Sequence, residues 1–289
     1  MLEKFRSGTY SIENLHVLDE ATTRLLDVGG VKLRLLGLGG ALVSHKMFDN
    51  GEGLATIAGG QGTMWTTALQ IGELIDTAQR VYDATETRLL VTHASPGREG
   101  IMAQLALVLK ADLTISAGLH FRYASSYNEF SVQGDFDGFR QKLAMGKDGF
   151  DKVWENVKTQ VDAVIDEHQR VLLDKALSVV ERVPTINTEE PAWKNCWNWN
   201  LCDAAYGSLV LDVKEGRVSS ELKSQGICHM FLLQSLFNKF GSQVSTTHIA
   251  VLLHPRLLPP PTLQLRHSLT HSQTFLLSSQ PMTSPSHRT

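Results

Sequence analysis

Cysteine is scarce in this sequence. Three of its 289 residues are Cys, namely Cys196, Cys202 and Cys228, and no two of them have C-x-x-C spacing. A small, odd number of cysteines argues against a secreted scaffold held together by disulfides. The spacing also argues against a zinc ribbon, which needs paired cysteines close together in the chain.

Long hydrophobic runs are missing as well. No stretch reaches the roughly 20 consecutive apolar residues of a membrane-spanning helix. Residues 1–10 lack the apolar segment of a secretory signal peptide. We therefore expect a cytoplasmic protein that does not cross a membrane. The net charge of −3 gives no reason to expect a nucleic-acid partner.

Acidic residues are absent from the last part of the chain. Glu221 is the last of the 30 Asp and Glu residues, whereas residues 222–289 contain five Lys and Arg and six of the nine prolines. Such a bias is typical of a disordered segment. It fits a basic interaction arm or, as we favour, translated non-coding sequence. The expected organisation is a domain over 1–226 and a low-complexity tail over 227–289.

Two apolar segments near the start predict a β-hairpin. Residues 23–28 and 31–36 are β-compatible runs separated by Gly29-Gly30, a pair that favours a tight turn. The second run leads directly into the glycine-rich segment Gly37 to Gly40. These glycines leave open a nucleotide-binding α/β protein, although such a motif is weak evidence without a helix directly after it.

The segment 89–120, which follows a predicted helix, has the pattern of a βαβ unit. Apolar residues recur at helical spacing over about 66–82 and 98–110, and the apolar runs 89–91 and 112–116 are typical of buried strands. This order favours parallel strands with a right-handed crossover. His93 and His120 follow the two strands. They are therefore expected at the carboxyl ends, where open α/β sheets build their sites.

Gly97 and Arg98 lie where the second of these helices is expected to begin. Backbone N–H groups at a helix N-terminus can receive a phosphate. These two residues are therefore candidate phosphate-binding residues. Further along, residues 135–183 predict a long helical segment, because an apolar stripe recurs among many charged residues and Pro184 ends it.

Two motifs in this part of the chain resemble those of a known family. Leu89 to Gly97 (LLVTHASPG) looks like the strand-plus-histidine motif of calcineurin-like metallophosphoesterases, and Asp112 to His120 (DLTISAGLH) resembles their later strand that ends in Gly-His-x-His. The two motifs come in the family's order, 27 residues apart. The stretch from about Glu13 to Gly226 is similar to a poorly characterised fungal family of such proteins.

The resemblance implies an α/β fold in which a β-sandwich is flanked by helices, here with a helical insertion over about 135–183 and a disordered tail. It also implies a two-metal site that holds a phosphate ester and a bridging hydroxide. Imidazole and carboxylate ligands suit Mn, Fe or Zn there. By the match, His93 and His120 carry over as metal ligands.

The sequence also departs from the family pattern. Gly118 replaces the first His of Gly-His-x-His, and the family's Asp-x-His, Gly-Asp and Gly-Asn-His motifs do not occur before His93. We therefore expect only part of the family domain here, which predicts an exposed sheet edge and poor solubility. The expected function is metal-dependent hydrolysis of phosphate esters by ancestry, with this chain itself inactive. A non-catalytic binding or regulatory relative remains the alternative, beside the nucleotide-binding protein.

Overall fold

The structure, a computed structural model, contains two β-sheets and a group of α-helices. The residues that it describes are 8–11, 15–48, 65–117, 124–128, 136–183, 196–202, 206–224, 247–252 and 275–278. The helices are α1 (Ala68–Arg80), α2 (Gly100–Val108), α3 (Phe136–Val164) and α4 (Glu167–Val180). The strands are β1 (Leu15–Leu18), β2 (Thr23–Val28), β3 (Val31–Leu38), β4 (Thr87–Thr92), β5 (Leu113–Ala117), β6 (Ser125–Tyr127), β7 (Trp197–Leu201), β8 (Gly207–Lys214), β9 (Arg217–Ser224), β10 (Thr247–Leu252) and β11 (Phe275–Ser278).

The larger sheet is mixed, with the strand order β2-β3-β4-β5-β7-β6. Its four inner strands, β3, β4, β5 and β7, are parallel to one another, whereas β2 and β6 pair antiparallel at the two edges. The predicted hairpin is confirmed: β2 and β3 are joined by Gly29 and Gly30, both with positive φ, and Val28 pairs with Val31. Positive φ at both central residues is what a type I′ turn requires, and glycine adopts it without strain.

The predicted βαβ pattern is confirmed too. Helix α1 connects β3 to β4, and α2 connects β4 to β5, with parallel pairing in both cases. Helix α1 begins with a capping box: the Thr67 hydroxyl accepts from the Gln70 N–H, and the Gln70 side chain accepts from the Thr67 N–H. These bonds satisfy N–H groups that the first turn of a helix leaves without partners.

The predicted helical segment 135–183 consists of two helices. Helix α3 ends at Val164, and Asp166 caps α4 by accepting a hydrogen bond from the Gln169 N–H at 2.7 Å. The Gln169 side chain returns the bond from the Asp166 N–H. The Asp-x-x-Gln spacing that starts this second helix is visible in the sequence. Among the described helices, none has both the length and the apolar character needed to cross a membrane.

The smaller sheet is antiparallel throughout, in the order β1-β11-β10-β8-β9. Two of its strands, β10 and β11, come from the tail for which the sequence predicts disorder. They contain apolar, β-compatible runs (THIAVL and FLLS) that pair with one another and with β8 and β1. The other residues between 225 and 289 lie outside the described part of the chain.

The central strands of the larger sheet are buried on both faces. On β3, Leu33 and Leu35 face the smaller sheet, whereas Leu36 and Leu38 face the helices. The core between the sheets includes Trp199 of β7 and Leu211 of β8. Because side chains alternate along a strand, a central strand buried on both faces has an almost continuous apolar sequence. The chain is therefore a mixed α/β fold with helices on one face of the mixed sheet.

Candidate functional site

His93 lies at the carboxyl edge of the larger sheet, as the sequence predicts. It follows β4 directly, and its backbone extends the sheet by one residue. The His93 N–H donates to the Leu38 carbonyl at 3.3 Å, and the His93 carbonyl accepts from the Ala117 N–H at 3.2 Å. The residue is half-buried between the ends of β3 and β5. The backbone of His93 is therefore held on both sides.

A tight turn follows His93. The Thr92 hydroxyl donates to the Ala94 carbonyl at 2.7 Å, and the Ser95 carbonyl accepts from the N–H groups of Arg98 and Glu99. The Ser95 hydroxyl accepts from the Gly97 N–H at 3.2 Å. These bonds fix the path of the chain from the strand into α2.

The structure places Gly97 and Arg98 just before α2, which begins at Gly100. The amides of both residues already donate to Ser95, so an anion bound here would meet the exposed Arg98 side chain. Gly97 has a packing role, because a Cβ atom there would overlap the Tyr127 hydroxyl and lie 2.6 Å from the ring carbon that carries it. A side chain at position 97 would therefore displace β6 or the turn.

His120, the second predicted metal ligand, lies outside the described residues, as does Gly118. The described part of β5 ends at Ala117, next to the end of β4. Within the described ranges, no group of three or more His, Cys, Asp or Glu side chains is arranged to hold a metal ion.

A row of buried polar side chains, which was not predicted from the sequence, leads to this edge. Thr92 of β4, Ser116 of β5 and Asn200 of β7 lie in register on neighbouring strands. The Ser116 hydroxyl is 3.4 Å from the Asn200 side-chain oxygen, and the Thr114 hydroxyl donates to Asn198 at 2.5 Å. The sequence signal for this row is the alternation of polar and apolar residues in Thr114-Ile115-Ser116 and Asn198-Trp199-Asn200. It leaves the polar residues on the face opposite the inter-sheet core.

The glycine-rich segment after β3 has a packing explanation. The Thr66 hydroxyl donates to the carbonyls of Gly39 and Gly40, and a Cβ atom on Gly40, where φ is +91°, would lie 2.7 Å from the Thr66 nitrogen. The segment leads into the short 3-10 turn Ser44–Lys46 instead of a long helix. A dinucleotide fingerprint needs the helix in that place.

Glu99 is the residue immediately before α2. Its carboxyl group is half-buried and makes no capping bond to the helix. Burial raises the pKa of Glu99, and the neighbouring Arg98 offsets part of that rise. A carboxyl group whose pKa is raised in this way is disfavoured in its charged form.

Replacing Glu99 with glutamine is expected to stabilise the protein at neutral pH. Because the folded state raises the pKa of Glu99, the stability of the unmodified protein falls as the pH rises from about 4.5 through the folded pKa. Glu99→Gln removes this loss, so its advantage is present at pH 7 and absent at pH 4. Urea unfolding at both pH values measures it. Glu155→Gln, at an exposed position of α3, is the control, and an equal effect in both variants contradicts the prediction.

Comparison with known protein families matches part of the chain. Residues 123–230 match the family model described as "Protein of unknown function (DUF2433)". The matched segment runs from β6 to β9 and contains α3 and α4, whereas His93, Gly97, Arg98 and His120 all precede it. No curated protein and no solved structure matches the chain.

Proposed function

We propose that this chain is a divergent relative of the metal-dependent phosphoesterases that binds a phosphate ester at the carboxyl edge of β4 and β5. The observation that carries the proposal is the placing of His93 and Arg98 at the two ends of one turn at this edge. In the proposal, His93 and His120 serve as metal ligands, as the resemblance implies. Arg98 binds the phosphate through its guanidinium group, and Gly97 allows the turn to pack against Tyr127.

The donor set limits the chemistry of the site. Imidazole suits Mn, Fe or Zn, and a metal ion bound by these histidines would supply positive charge beside the phosphate. Among the described residues, however, His93 is the one imidazole that follows a strand at this edge, and the sequence has Gly118 where the family has a further histidine. These residues do not fit a two-metal centre. The function proposed for this chain is therefore binding, with hydrolysis belonging to its relatives.

The proposal predicts that His93→Ala lowers the affinity of the full chain for Zn²⁺ or Mn²⁺ by about tenfold or more. Mutation of a residue that only hydrogen-bonds to a metal ligand already costs about 10–100-fold in metal affinity, and His93 would be a ligand itself. Calorimetric titration measures the affinity. His45→Ala is the matched control, since His45 is exposed in the 3-10 turn. Equal affinity in the unmodified protein and in His93→Ala would show that His93 is not a ligand.

Activity is tested on the same samples with an aryl phosphate monoester and diester. We expect the full chain to bind the ester and to release no phenol above the blank. Turnover that requires metal and is lost in His93→Ala would replace the binding function with hydrolysis. Absence of both ester binding and metal binding would refute the proposal.

A further inference from the structure

A cleft lies beside the turn that holds Arg98, between the first turn of α2 and the first half of α3. Its volume is about 470 Å³, within the range of about 300–1,000 Å³ that is usual for small-molecule sites. Leu42 and Ser44, which follow β3 in the chain, also line it. This space is called the α2–α3 cleft below, and its lining includes Leu42, Arg98, Glu99, Ile101, Lys142, Met145 and Gly149.

The charge of the α2–α3 cleft is opposite to that of the domain around it. Arg98 and Lys142 face it together with one acid, Glu99, so its lining is net positive. Residues 1–221, in contrast, contain 22 Lys and Arg against 30 Asp and Glu, a net charge of −8. Lys142 is held in place, because its ammonium group donates to the Pro96 carbonyl at 3.2 Å and lies 4.6 Å from the centre of the Phe139 ring. A positive cleft on a negative domain favours an anionic ligand.

The cleft also has an apolar part. Leu42, Ile101 and Met145 line it, and Met145 is 68% exposed although it is a large hydrophobic residue. A methionine side chain is flexible and adapts to apolar ligands of different shape. Gly149 leaves the space open, because a Cβ atom built on it would meet nothing within 4 Å.

We propose that the α2–α3 cleft binds a small organic anion, with Arg98 and Lys142 holding the charged group and Leu42, Ile101 and Met145 packing against the organic part. This inference deepens the proposed function and rests on it only for Arg98, which would then bind the phosphate of an ester whose organic group occupies the cleft. The cleft favours a small ligand over a macromolecule, since its volume of about 470 Å³ is that of a small-molecule site.

The experiment is calorimetric titration of the full chain with phenyl phosphate, and separately with inorganic phosphate. Phenyl phosphate is expected to bind at least tenfold more tightly, because its ring contacts the apolar wall. Gly149→Trp is expected to weaken phenyl phosphate binding at least tenfold by filling the cleft. Thr159→Trp, the same side chain at an exposed position of α3, is expected to leave binding unchanged. Gly149→Leu places a smaller side chain in the cleft and tests the same prediction if the tryptophan variant does not fold.

The outcomes separate the two proposals. Binding of phenyl phosphate that is unchanged in both Gly149 variants, or no stronger than that of inorganic phosphate, overturns the cleft as the site. If His93→Ala loses metal affinity and Gly149→Trp binds phenyl phosphate as tightly as the unmodified protein, the proposed function is supported and the cleft is not its binding site. If Gly149→Trp and Arg98→Ala both weaken phenyl phosphate binding while His93→Ala has no effect on metal affinity, the cleft is supported as the binding site. The same result refutes His93 as a metal ligand.

Discussion

Replacing Arg88 with methionine is expected to lower the free energy of unfolding by about 2–4 kcal/mol. Arg88 is 3% exposed at the start of β4, and its guanidinium group donates to the carbonyls of Leu109 at 2.6 Å and Ala78 at 2.9 Å. Leu109 is the C-cap residue directly after α2, and Ala78 lies in the last turn of α1. The last carbonyls of a helix have no partner within the helix. Arg88 therefore joins the C-terminal ends of both crossover helices to the sheet.

The size of this effect follows from the two buried backbone carbonyls that lose their hydrogen bonds in Arg88→Met. Each buried carbonyl that loses its hydrogen bond costs about 1–3 kcal/mol. Removal of the buried cation offsets part of this cost, since burial already lowers the pKa of Arg88 and its Nε atom has no hydrogen-bond partner within the described structure. Packing of the guanidinium group 4.6 Å from the centre of the Tyr82 ring is lost as well.

Urea unfolding of Arg88→Met measures the loss, and the matched control is Arg80→Met. Arg80 is the last residue of α1, its side chain is 63% exposed, and its partners are the carboxylates of Glu73 and Asp76 and the Thr77 hydroxyl. Exposed ion pairs contribute about 0–1 kcal/mol. A similar change in both variants would contradict the structural role of Arg88.

Replacing Gly72 with alanine is expected to lower the free energy of unfolding by about 2–3 kcal/mol, the upper part of the range for overpacking. Gly72 is buried where α1 crosses α4. A Cβ atom at this position would overlap the Leu172 carbonyl oxygen and lie 2.6 Å from its carbon. Because the obstacle is backbone, the two helices must move apart, and this outweighs the ~1 kcal/mol that alanine gains over glycine in a helix.

Gly149→Ala provides the control of opposite sign. This glycine also lies inside a helix, but a Cβ atom there would meet open space. The substitution is therefore expected to raise the free energy of unfolding by about 0.5–1 kcal/mol, the gain in helix propensity alone. Thermal or urea unfolding of the two variants compares them directly. Two changes of the same sign would show that the crossing of α1 and α4 is looser than the structure indicates.

The local elements follow from the sequence, because their signals are carried by neighbouring residues. The Gly29-Gly30 turn, the helical spacing of α1 and α2 and the apolar runs of β4 and β5 all predict what the structure contains. The position of His93 follows from the same pattern, because parallel strands bring their carboxyl ends to one edge. The break between α3 and α4 was missed although its capping signal at Asp166 is local.

The arrangement of these elements was decided by contacts between residues far apart in the chain. Nothing near residues 113–127 or 197–201 in the sequence indicates that β7 inserts between β5 and β6. The strands β10 and β11 illustrate the same limit, since nothing local to residues 247–252 or 275–278 indicates which strands they pair with. Strand pairing depends on which faces can be buried together, and no local pattern records that.

The candidate site likewise has some features that local sequence signals predict and others that depend on tertiary contacts. The sequence alone determined that a histidine follows a buried strand, that Arg98 stands near a helix start, and that the acids end at Glu221. The folded chain adds the hydrogen bonds from the Gly97 and Arg98 amides to Ser95 and the contact of Gly97 with Tyr127. It also forms the α2–α3 cleft, whose lining comes from three separate segments, 42–44, 98–101 and 138–149. Periodicity reports which face of one element is buried, whereas a cleft is the space left between several elements, and its shape depends on how closely their backbones approach.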